Sequence, residues 1–343
     1  MTRDEVVNFL VKHQLADRGI ASDERRVQVT ALTGGVSSDI VRVDLDGQAL
    51  CLKRALPTLK VARYWAADVR RSLHEIDWLR AAHRIVPTAV PPVLAADEEL
   101  CMFAMPFLDA RSHPLWKSEL LAGRVHRGFA SSVAAVLAAL HGATAADTTV
   151  AQRFAHHEDF AALRLDPYLG ATAAAHPTLS SILLALRERT ARTRLALIHG
   201  DVSPKNILRG PHGPVILDAE CACHGDPAFD VAFLLNHLFL KCLVNPGVHR
   251  EYLDEARDAC STYESCCTHE PWSQMQLRVA TLLPALMLAR VDGLSPVEYL
   301  GDEARKNLVR SFARDQLVSA ASTLPGILDR WQQAVSSALL RVD

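Results

Sequence analysis

The most informative segment, residues 197–230, reads LIHGDVSPKNILRGPHGPVILDAECACHGDPAFD. It contains Asp201, Asn206 and Asp218, whose order and spacing are distinctive. Asn206 follows Asp201 by five positions, and Asp218 follows Asn206 by twelve. Short apolar runs at 195–198 and 215–217 flank them, which is typical of loops that follow short buried strands. The segment therefore presents a carboxylate, an amide and a second carboxylate from loops.

These residue types match the requirements of phosphoryl transfer. Asp201 would orient an attacking hydroxyl and accept its proton, a role in which positioning matters more than basicity. Asn206 and Asp218 supply oxygen ligands of the kind that Mg²⁺ prefers. A single Asp in a loop is more often a cap or a turn former, so the prediction depends on the joint spacing.

The first hundred residues predict a small β-rich region. Residues 2–16 suggest an opening helix, with Thr2 and Glu5 as a capping box. Short alternating or β-branched runs separated by Gly34-Gly35 and Asp46-Gly47 predict antiparallel strands. The expected strands are 27–32, 40–45, 50–55, 90–93 and 100–104, with a helix at 69–82.

Candidate nucleotide-binding residues lie in this region. The turn containing Gly34, Gly35, Ser37 and Ser38 can present N–H groups and hydroxyls to phosphate oxygens, although such a turn is also an ordinary hairpin connection. Lys53 in the third strand would contact phosphates, or it is an exposed strand lysine.

The helix that follows carries a candidate partner for Lys53. Glu75 is placed to hold Lys53 in position. Alternatively, Glu75 is a solvated helix residue or a partner of Arg71 one turn earlier.

The remainder of the chain is mostly helical in pattern. Apolar stripes predict helices at 129–140, 179–194, 228–242, 250–260, 274–291, 304–321 and 324–340. We therefore predict an α+β, bilobal fold. Its small β-rich N-terminal lobe would span residues 1–105 and bind ATP, and its large α-helical C-terminal lobe would span 106–343.

The order of the candidate residues resembles the protein-kinase-like fold. The His199-Gly200-Asp201 triplet resembles in particular its small-molecule branch, the aminoglycoside phosphotransferase family with its relatives choline kinase and methylthioribose kinase. The resemblance implies an ATP- and Mg²⁺-dependent kinase with Asp201 as base, Asn206 and Asp218 as metal ligands, and Lys53 with Glu75 as the phosphate anchor. It also implies that the backbone around Met105 and Phe107 binds adenine.

The sequence departs from the protein-kinase pattern at two motifs, which favours the small-molecule branch. Gly200 replaces the Arg of His-Arg-Asp, and Asp218-Ala219-Glu220 replaces Asp-Phe-Gly. No Ala-Pro-Glu element follows, which argues against a protein substrate. The alternative function is a catalytically silent nucleotide-binding regulator. It is disfavoured because Lys53 and the three residues Asp201, Asn206 and Asp218 are all present.

Further polar residues have alternative roles. Asp226 and Asp230 resemble the family's second acidic element, and a structural role at a helix start is favoured for both. His237 and Lys241 lie one turn apart and either reach a substrate or pack. Trp272, Tyr168 and Arg164 are further candidates for a substrate pocket.

Composition limits the classes of partner. The chain has 343 residues, 22% of them charged, and a formal net charge of −2. No polycationic surface is indicated, so a nucleic-acid or membrane partner is not expected. Eight scattered cysteines and a polar N-terminus favour a cytoplasmic location. The mixed charges of residues 241–343 favour a neutral or weakly charged acceptor, such as a sugar, nucleoside or amino alcohol, over a polycation.

Overall fold

The computed structural model describes residues 1–16, 26–32, 38–56, 68–319 and 323–339. Contacts within the chain divide it into two compact units. The first comprises Met1–His113 with Leu217–Glu220, and the second comprises Pro114–Ile216 with Cys221–Asp343. The sequence pattern predicts a boundary after residue 105, whereas these contacts divide the chain after residue 113 and return a short later segment to the first unit.

A five-stranded antiparallel sheet forms the first unit. Its strand order is β1-β2-β3-β5-β4. The strands are β1 (Val27–Ala31), β2 (Ser38–Leu45), β3 (Gln48–Ala55), β4 (Ala95–Asp97) and β5 (Met102–Pro106). β3 pairs with both β2 and β5, so its residues lie in the interior of the sheet.

Local sequence explains most of this sheet and corrects one strand. Asp46 and Gly47 both have positive φ, at 47° and 85°, which is the conformation of a tight two-residue hairpin turn. The predicted strand at 90–93 is wrong, because Pro91 and Pro92 lack the N–H groups that a ladder needs. The fourth strand is instead Ala95–Asp97.

Two helices flank this sheet. In α1 (Arg3–Lys12), the predicted capping box is present: Thr2 accepts from the N–H of Glu5, and the Glu5 carboxylate accepts from the N–H of Thr2. Val6, Phe9 and Leu10 of α1 pack into the apolar core formed with the strands. α2 (Arg71–Ile85) buries its apolar face and carries Glu75.

The second unit is mostly helical. Its helices are α3 (Trp116–Leu121), α4 (Phe129–Thr144), α5 (Thr148–Arg153), α6 (His157–Phe160), a π-helix (Ala161–Gly170), α7 (Ala171–Ala175), α8 (Ser180–Arg192), α9 (Pro227–Lys241), α10 (His249–Cys266), α11 (Trp272–Asp292), α12 (Glu303–Val318) and α13 (Leu324–Leu339). Every residue of α9 is buried, so this helix forms the centre of the unit. The α+β fold class is the one predicted.

Short strands position the segment 197–230. β6 (Ala196–Ile198) pairs with β9 (Cys223–Gly225), and β7 (Ile207–Gly210) pairs with β8 (Gly213–Ile216). The loop after β6 contains Asp201, and a 3-10 turn, Pro204–Asn206, leads into β7.

The described residues include no single helix with the length and apolar composition to cross a membrane. Residues His157–Ala175 and Pro177–Arg192 reach those limits jointly, but the chain bends by 116° between them.

Candidate active site

Lys53 lies inside the sheet and not on its surface. It sits on β3 opposite Ile40 of β2 and Phe103 of β5, and its residue exposure is 4%. Its Nζ lies 2.8 Å from a Glu75 carboxylate oxygen and also donates to Asp218 Oδ1. The interpretation of Lys53 as an exposed strand lysine is therefore wrong. A lysine that is buried and held by two carboxylates has a fixed position from which to bind anionic oxygens.

The charges of this cluster are strongly coupled. Burial alone would lower the pKa of Lys53, but the carboxylates of Asp218, Glu75 and Glu220 outweigh it and raise the pKa. Burial also raises the pKa of Glu75 to about 7, against the opposing effect of Lys53. Lys53 is thus a stable cation.

Arg71 does not pair with Glu75. Its Nε donates to Glu220 Oε2 at 3.0 Å, and its other nitrogens donate to the carbonyls of Asp68 and Leu56. This contact ties the segment 217–220 to the start of α2. Sequence reasoning missed this pair because its members lie 149 positions apart.

Asp218 has an unusual backbone conformation. Its φ is +68°, in the left-handed region that few residues other than glycine adopt. Asp tolerates this region better than bulky residues do, and such strain is concentrated at functional sites. Asp218 therefore presents its carboxylate from a turn that the surrounding structure fixes.

The glycine turn lies partly outside the described residues. Gly34, Gly35 and Ser37 are not among them. Ser38 begins β2, is buried and pairs with Ala55 of β3. The structure thus fixes the strand that follows the turn.

The register of β5 determines which backbone groups are free at the end of the sheet. The N–H of Phe107 donates to the carbonyl of Ala49 at 3.0 Å, so Phe107 belongs to the ladder with β3. Hydrogen-bonded pairs alternate along antiparallel strands, so Met105 faces β3 in the same way. The N–H of Phe107 is therefore engaged by β3, and the binding of adenine by the backbone of residues 105–108 stays a prediction. By the same alternation, the Pro106 carbonyl and the Leu108 N–H point away from β3.

In the second unit, a fully buried carboxylate fixes the loop that carries Asp201. Asp230 accepts from the N–H groups of His199 and Gly200, each at 2.8 Å, and lies 3.3 Å from His141 Nε2. Gly200 has φ +77°, and a Cβ at this position would lie 2.7 Å from the carbonyl oxygen of Cys221. Glycine is therefore required between His199 and Asp201.

Two cations contact Asp201, which is itself 2% exposed. Arg164 Nη2 donates to Asp201 Oδ2 at 2.7 Å, and Lys205 Nζ lies 3.0 Å from the same oxygen. Arg164 Nε also donates to the carbonyl of Gly200. Arg164 belongs to the π-helix, an element often found at functional sites. Arg164 is among the pocket candidates from the sequence, whereas Lys205 is not, since a lysine four residues from an acid has no distinctive pattern.

The amide of Asn206 has a fixed orientation. Its Nδ2 donates to the backbone carbonyl of Asp201 at 3.0 Å, which leaves Oδ1 as the group that can bind a cation. In the second unit Asn206 thus offers an amide oxygen, and in the first unit Asp218 offers a carboxylate oxygen; each is a type of ligand that Mg²⁺ accepts. By the chemistry of their donor atoms, both residues fit this metal.

Asp226 has a structural place in the fold. It caps α9 by accepting from the N–H of Ala228, and it is paired with Arg278 at 3.1 Å. Trp272 contacts Tyr263, with ring centroids 5.9 Å apart.

The remaining substrate-pocket candidates, Tyr168 on the π-helix and His237 and Lys241 on α9, are also inside the protein. Tyr168 accepts from Arg290 at 3.1 Å, and His237 and Lys241 are buried on α9. Lys241 therefore does not extend to the surface.

Comparison with known proteins identifies the family of this chain. The sequence model of the Phosphotransferase enzyme family matches residues 28–263, more than half of the chain. The chain therefore belongs to that family, which confirms the resemblance expected from the sequence.

Relatives and solved structures extend the comparison. Methylthioribose kinase of Yersinia enterocolitica is 25% identical over 223 residues, covering 57% of this chain and 55% of that protein. Methylthioribose kinase 2 of Oryza sativa subsp. japonica is 23% identical, covering 62% and 55%. The chain spans about half the length of these curated relatives.

Structural similarity confirms the fold. An amicoumacin kinase solved with AMP-PNP and Ca²⁺ has a TM-score of 0.52 at 13% identity, covering 94% of this chain and 98% of its own. A choline kinase from Cryptosporidium parvum has a TM-score of 0.51 at 12% identity, covering 99% and 95%. At these identities the likeness establishes the protein-kinase-like fold alone.

Proposed function

We propose that the protein is an ATP- and Mg²⁺-dependent O-phosphotransferase that phosphorylates a hydroxyl of a small molecule. The observation that carries this proposal is the buried Lys53 ammonium held by Glu75 and Asp218. A cation fixed in this way is suited to binding phosphate oxygens, and the family membership supports the same chemistry.

The first unit, which includes residues 1–113, would bind the nucleotide. Lys53 would bind phosphate oxygens, and the turn with Gly34, Gly35 and Ser37 would face them. The Pro106 carbonyl and the Leu108 N–H would pair with the edge of the base, because the ladder with β3 leaves them free.

The second unit would bind the acceptor and carry the catalytic loop. Asp201 would hold the acceptor hydroxyl and accept its proton, and Asp230 would fix the loop for that purpose. Asn206 and Asp218 would hold Mg²⁺, which neutralises charge on phosphate oxygens when it is bound.

The proposal is tested by the Asp201→Asn variant. Transfer from radiolabelled ATP to a panel of hydroxyl compounds should fall by about 10²–10⁴-fold in kcat, because the amide cannot accept the proton. ATP affinity should be nearly unchanged. Asp258→Asn, a change at an exposed position on α10, serves as the matched control. Full kcat in Asp201→Asn would contradict the assigned role, and nucleotide binding without transfer by the wild type would favour a silent regulator.

A further inference from the structure

Helix α9 carries polar side chains that the site described above does not use. Asn236 and His237 are buried, and among the described residues neither the amide atoms of Asn236 nor the ring nitrogens of His237 have a hydrogen-bond partner. Lys241, one turn after His237, is 1% exposed. A buried polar group without a partner destabilises the folded state. Two such residues and a buried lysine lie within two turns of α9. A helix with a purely structural role does not need to bury these polar groups, and burying them destabilises the folded state.

The charges around Lys241 are not balanced. Its ammonium lies 4.7 Å from the centroid of the Tyr299 ring, and no carboxylate of a described residue is within ion-pair distance of it. Arg290 likewise bonds to neutral groups, namely the Tyr168 hydroxyl at 3.1 Å and the carbonyl and hydroxyl of Ser295. Two cations are thus held by neutral partners.

The other charges nearby do not supply the missing anion. Lys117 is paired with Glu298, so that carboxylate is already engaged. Lys205 is paired with Asp201. The surroundings of Lys241 therefore carry an excess of positive charge.

Burial and the surrounding positive charges lower the pKa values of Lys241 and His237. Burial lowers the pKa of Lys241 to about 7, and the charges of Lys117 and Arg290 act in the same direction while Glu298 opposes them. Burial likewise lowers the pKa of His237, and Lys241, Arg290, Lys205 and Lys117 contribute in that order.

The Phe233 ring contacts both Tyr168 and His237. The Phe233 ring lies 5.5 Å from Tyr168 and 5.3 Å from His237. Lys205 both lowers the pKa of His237 through its charge and pairs with Asp201. Phe233 therefore links His237 to Tyr168, whose hydroxyl accepts from Arg290.

From this arrangement we propose that the phosphoryl acceptor is an anionic hydroxyl compound whose carboxylate or phosphate group binds Lys241 and Arg290. His237 and Asn236 supply further hydrogen bonds to the acceptor. This inference rests on the proposed function, and it replaces the neutral or weakly charged acceptor expected from composition. An anion would supply the two cations with the ion-pair partner that the described residues lack.

Binding is tested first, without turnover. The thermal unfolding midpoint is measured with D-gluconate and D-glucose 6-phosphate, and with D-glucose and choline, at constant ionic strength. One or both anions should raise the midpoint of the wild type but not that of Lys241→Met, which keeps the unbranched stem and removes the charge. Lys241→Gln provides a second variant, and Lys306→Met in the surface pair with Glu303 is the matched control. Gluconate and glucose 6-phosphate distinguish a carboxylate site from a phosphate site.

The loss of protection in Lys241→Met must be specific. The control Lys306→Met should keep the wild-type response to the same anions. Failure of both anions to protect the wild type, or equal protection of Lys241→Met, would overturn the anion site.

Turnover is tested next with the same compounds. Lys241→Met should raise KM for the anionic acceptor by at least about tenfold and change kcat little, because Lys241 binds the acceptor and does not take part in proton transfer. Transfer to glucose or choline with a KM that Lys241→Met leaves unchanged would overturn the inference while the proposed function stands. Protection by anions without transfer to any acceptor would instead count against the proposed function.

Discussion

At Gly200, the requirement for glycine has two separable causes. The residue has φ +77°, which penalises any side chain, and a Cβ would also meet the carbonyl of Cys221 at 2.7 Å. Gly128 has the same φ of +77°, but a Cβ there would have no neighbour within 4 Å. The two glycines therefore separate backbone strain from steric contact.

We expect Gly128→Ala to lower the free energy of unfolding by about 1–2 kcal/mol, the cost of the left-handed conformation. Gly200→Ala should cost more, and it should also lower kcat because the loop that carries Asp201 must shift. Urea unfolding and steady-state kinetics of both variants provide the measurement. Equal stability losses, with kcat preserved in Gly200→Ala, would show that the contact with Cys221 is unimportant.

Lys241 predicts a particular dependence of stability on pH. Its pKa is about 7 in the folded chain, against 10.5 for an ordinary lysine. Below about pH 7 both the folded and the unfolded chain carry the charge, so burial penalises the folded state fully. Above about pH 10.5 neither chain carries it, and the penalty vanishes.

Lys241→Met should therefore be more stable than the wild type at pH 6, and this advantage should shrink as the pH rises from about 7 towards about 10.5. Urea unfolding of both proteins at about pH 6, 8 and 9.5 gives the difference directly. Lys306→Met should show no such trend. A constant difference across this range would mean that Lys241 titrates as an ordinary lysine.

At the level of elements, β3 and α2 are joined by one buried ion pair, Lys53 with Glu75. Lys53→Met leaves Glu75 buried without its cation. Since the pKa of Glu75 is already about 7, the variant should keep Glu75 protonated in the folded chain to higher pH than the wild type does. The unfolded chain loses this proton near pH 4.5 and the folded wild type near pH 7, so both proteins lose stability equally between these values, and the variant should fall relative to the wild type as the pH rises above about 7.

At a pH where Glu75 is charged in the wild type, Lys53→Met should lower the free energy of unfolding by about 3–5 kcal/mol. The double variant Lys53→Met/Glu75→Gln should recover much of this stability, with little pH dependence, while neither variant binds ATP. Urea unfolding and nucleotide titration from about pH 5 to 8 provide the test. Recovery of ATP affinity in the double variant would show that Lys53 has only a structural role.

Elements with a regular period can be predicted from the sequence, and irregular ones cannot. Four of the five sheet strands and the long helices follow from alternation and apolar stripes, whereas β4, with three residues, does not. The pattern predicts no helix between residues 144 and 179, where Pro167 interrupts it and the backbone forms a π-helix. Strand β9 has three residues, too few to show a period.

Some residues of the candidate site can likewise be predicted from the sequence, and others cannot. Asp201, Asn206 and Asp218 lie in one short segment, so their spacing is evident in the sequence. The contact of Arg164 with Asp201 spans 37 positions, and no local pattern predicts it. Similarly, the choice of Pro106 and Leu108 over their neighbours depends on the register of β5 against β3, which the sequence does not specify.

For the whole molecule, the proposed function predicts a linkage between nucleotide, metal and stability. A ligand that binds the folded chain stabilises it by mass action, by about 2.7 kcal/mol at a hundred times its Kd. ATP with Mg²⁺ should therefore raise the thermal unfolding midpoint. Chelation with EDTA should remove most of this effect, because Asp218 and Asn206 supply anionic and neutral oxygens that bind nucleotide phosphates only through a cation.

Asp218→Asn should weaken the Mg²⁺-dependent part of this shift and keep the fold, since the amide retains the shape of the side chain and loses the charge. Differential scanning fluorimetry of the wild type, Asp218→Asn and the control Asp258→Asn, with ATP, with Mg²⁺ and with both, gives the comparison. Asp258→Asn should respond as the wild type does. Equal protection by ATP with and without Mg²⁺ in all three proteins would remove Asp218 from the metal site, because its charge would then have no part in holding the nucleotide.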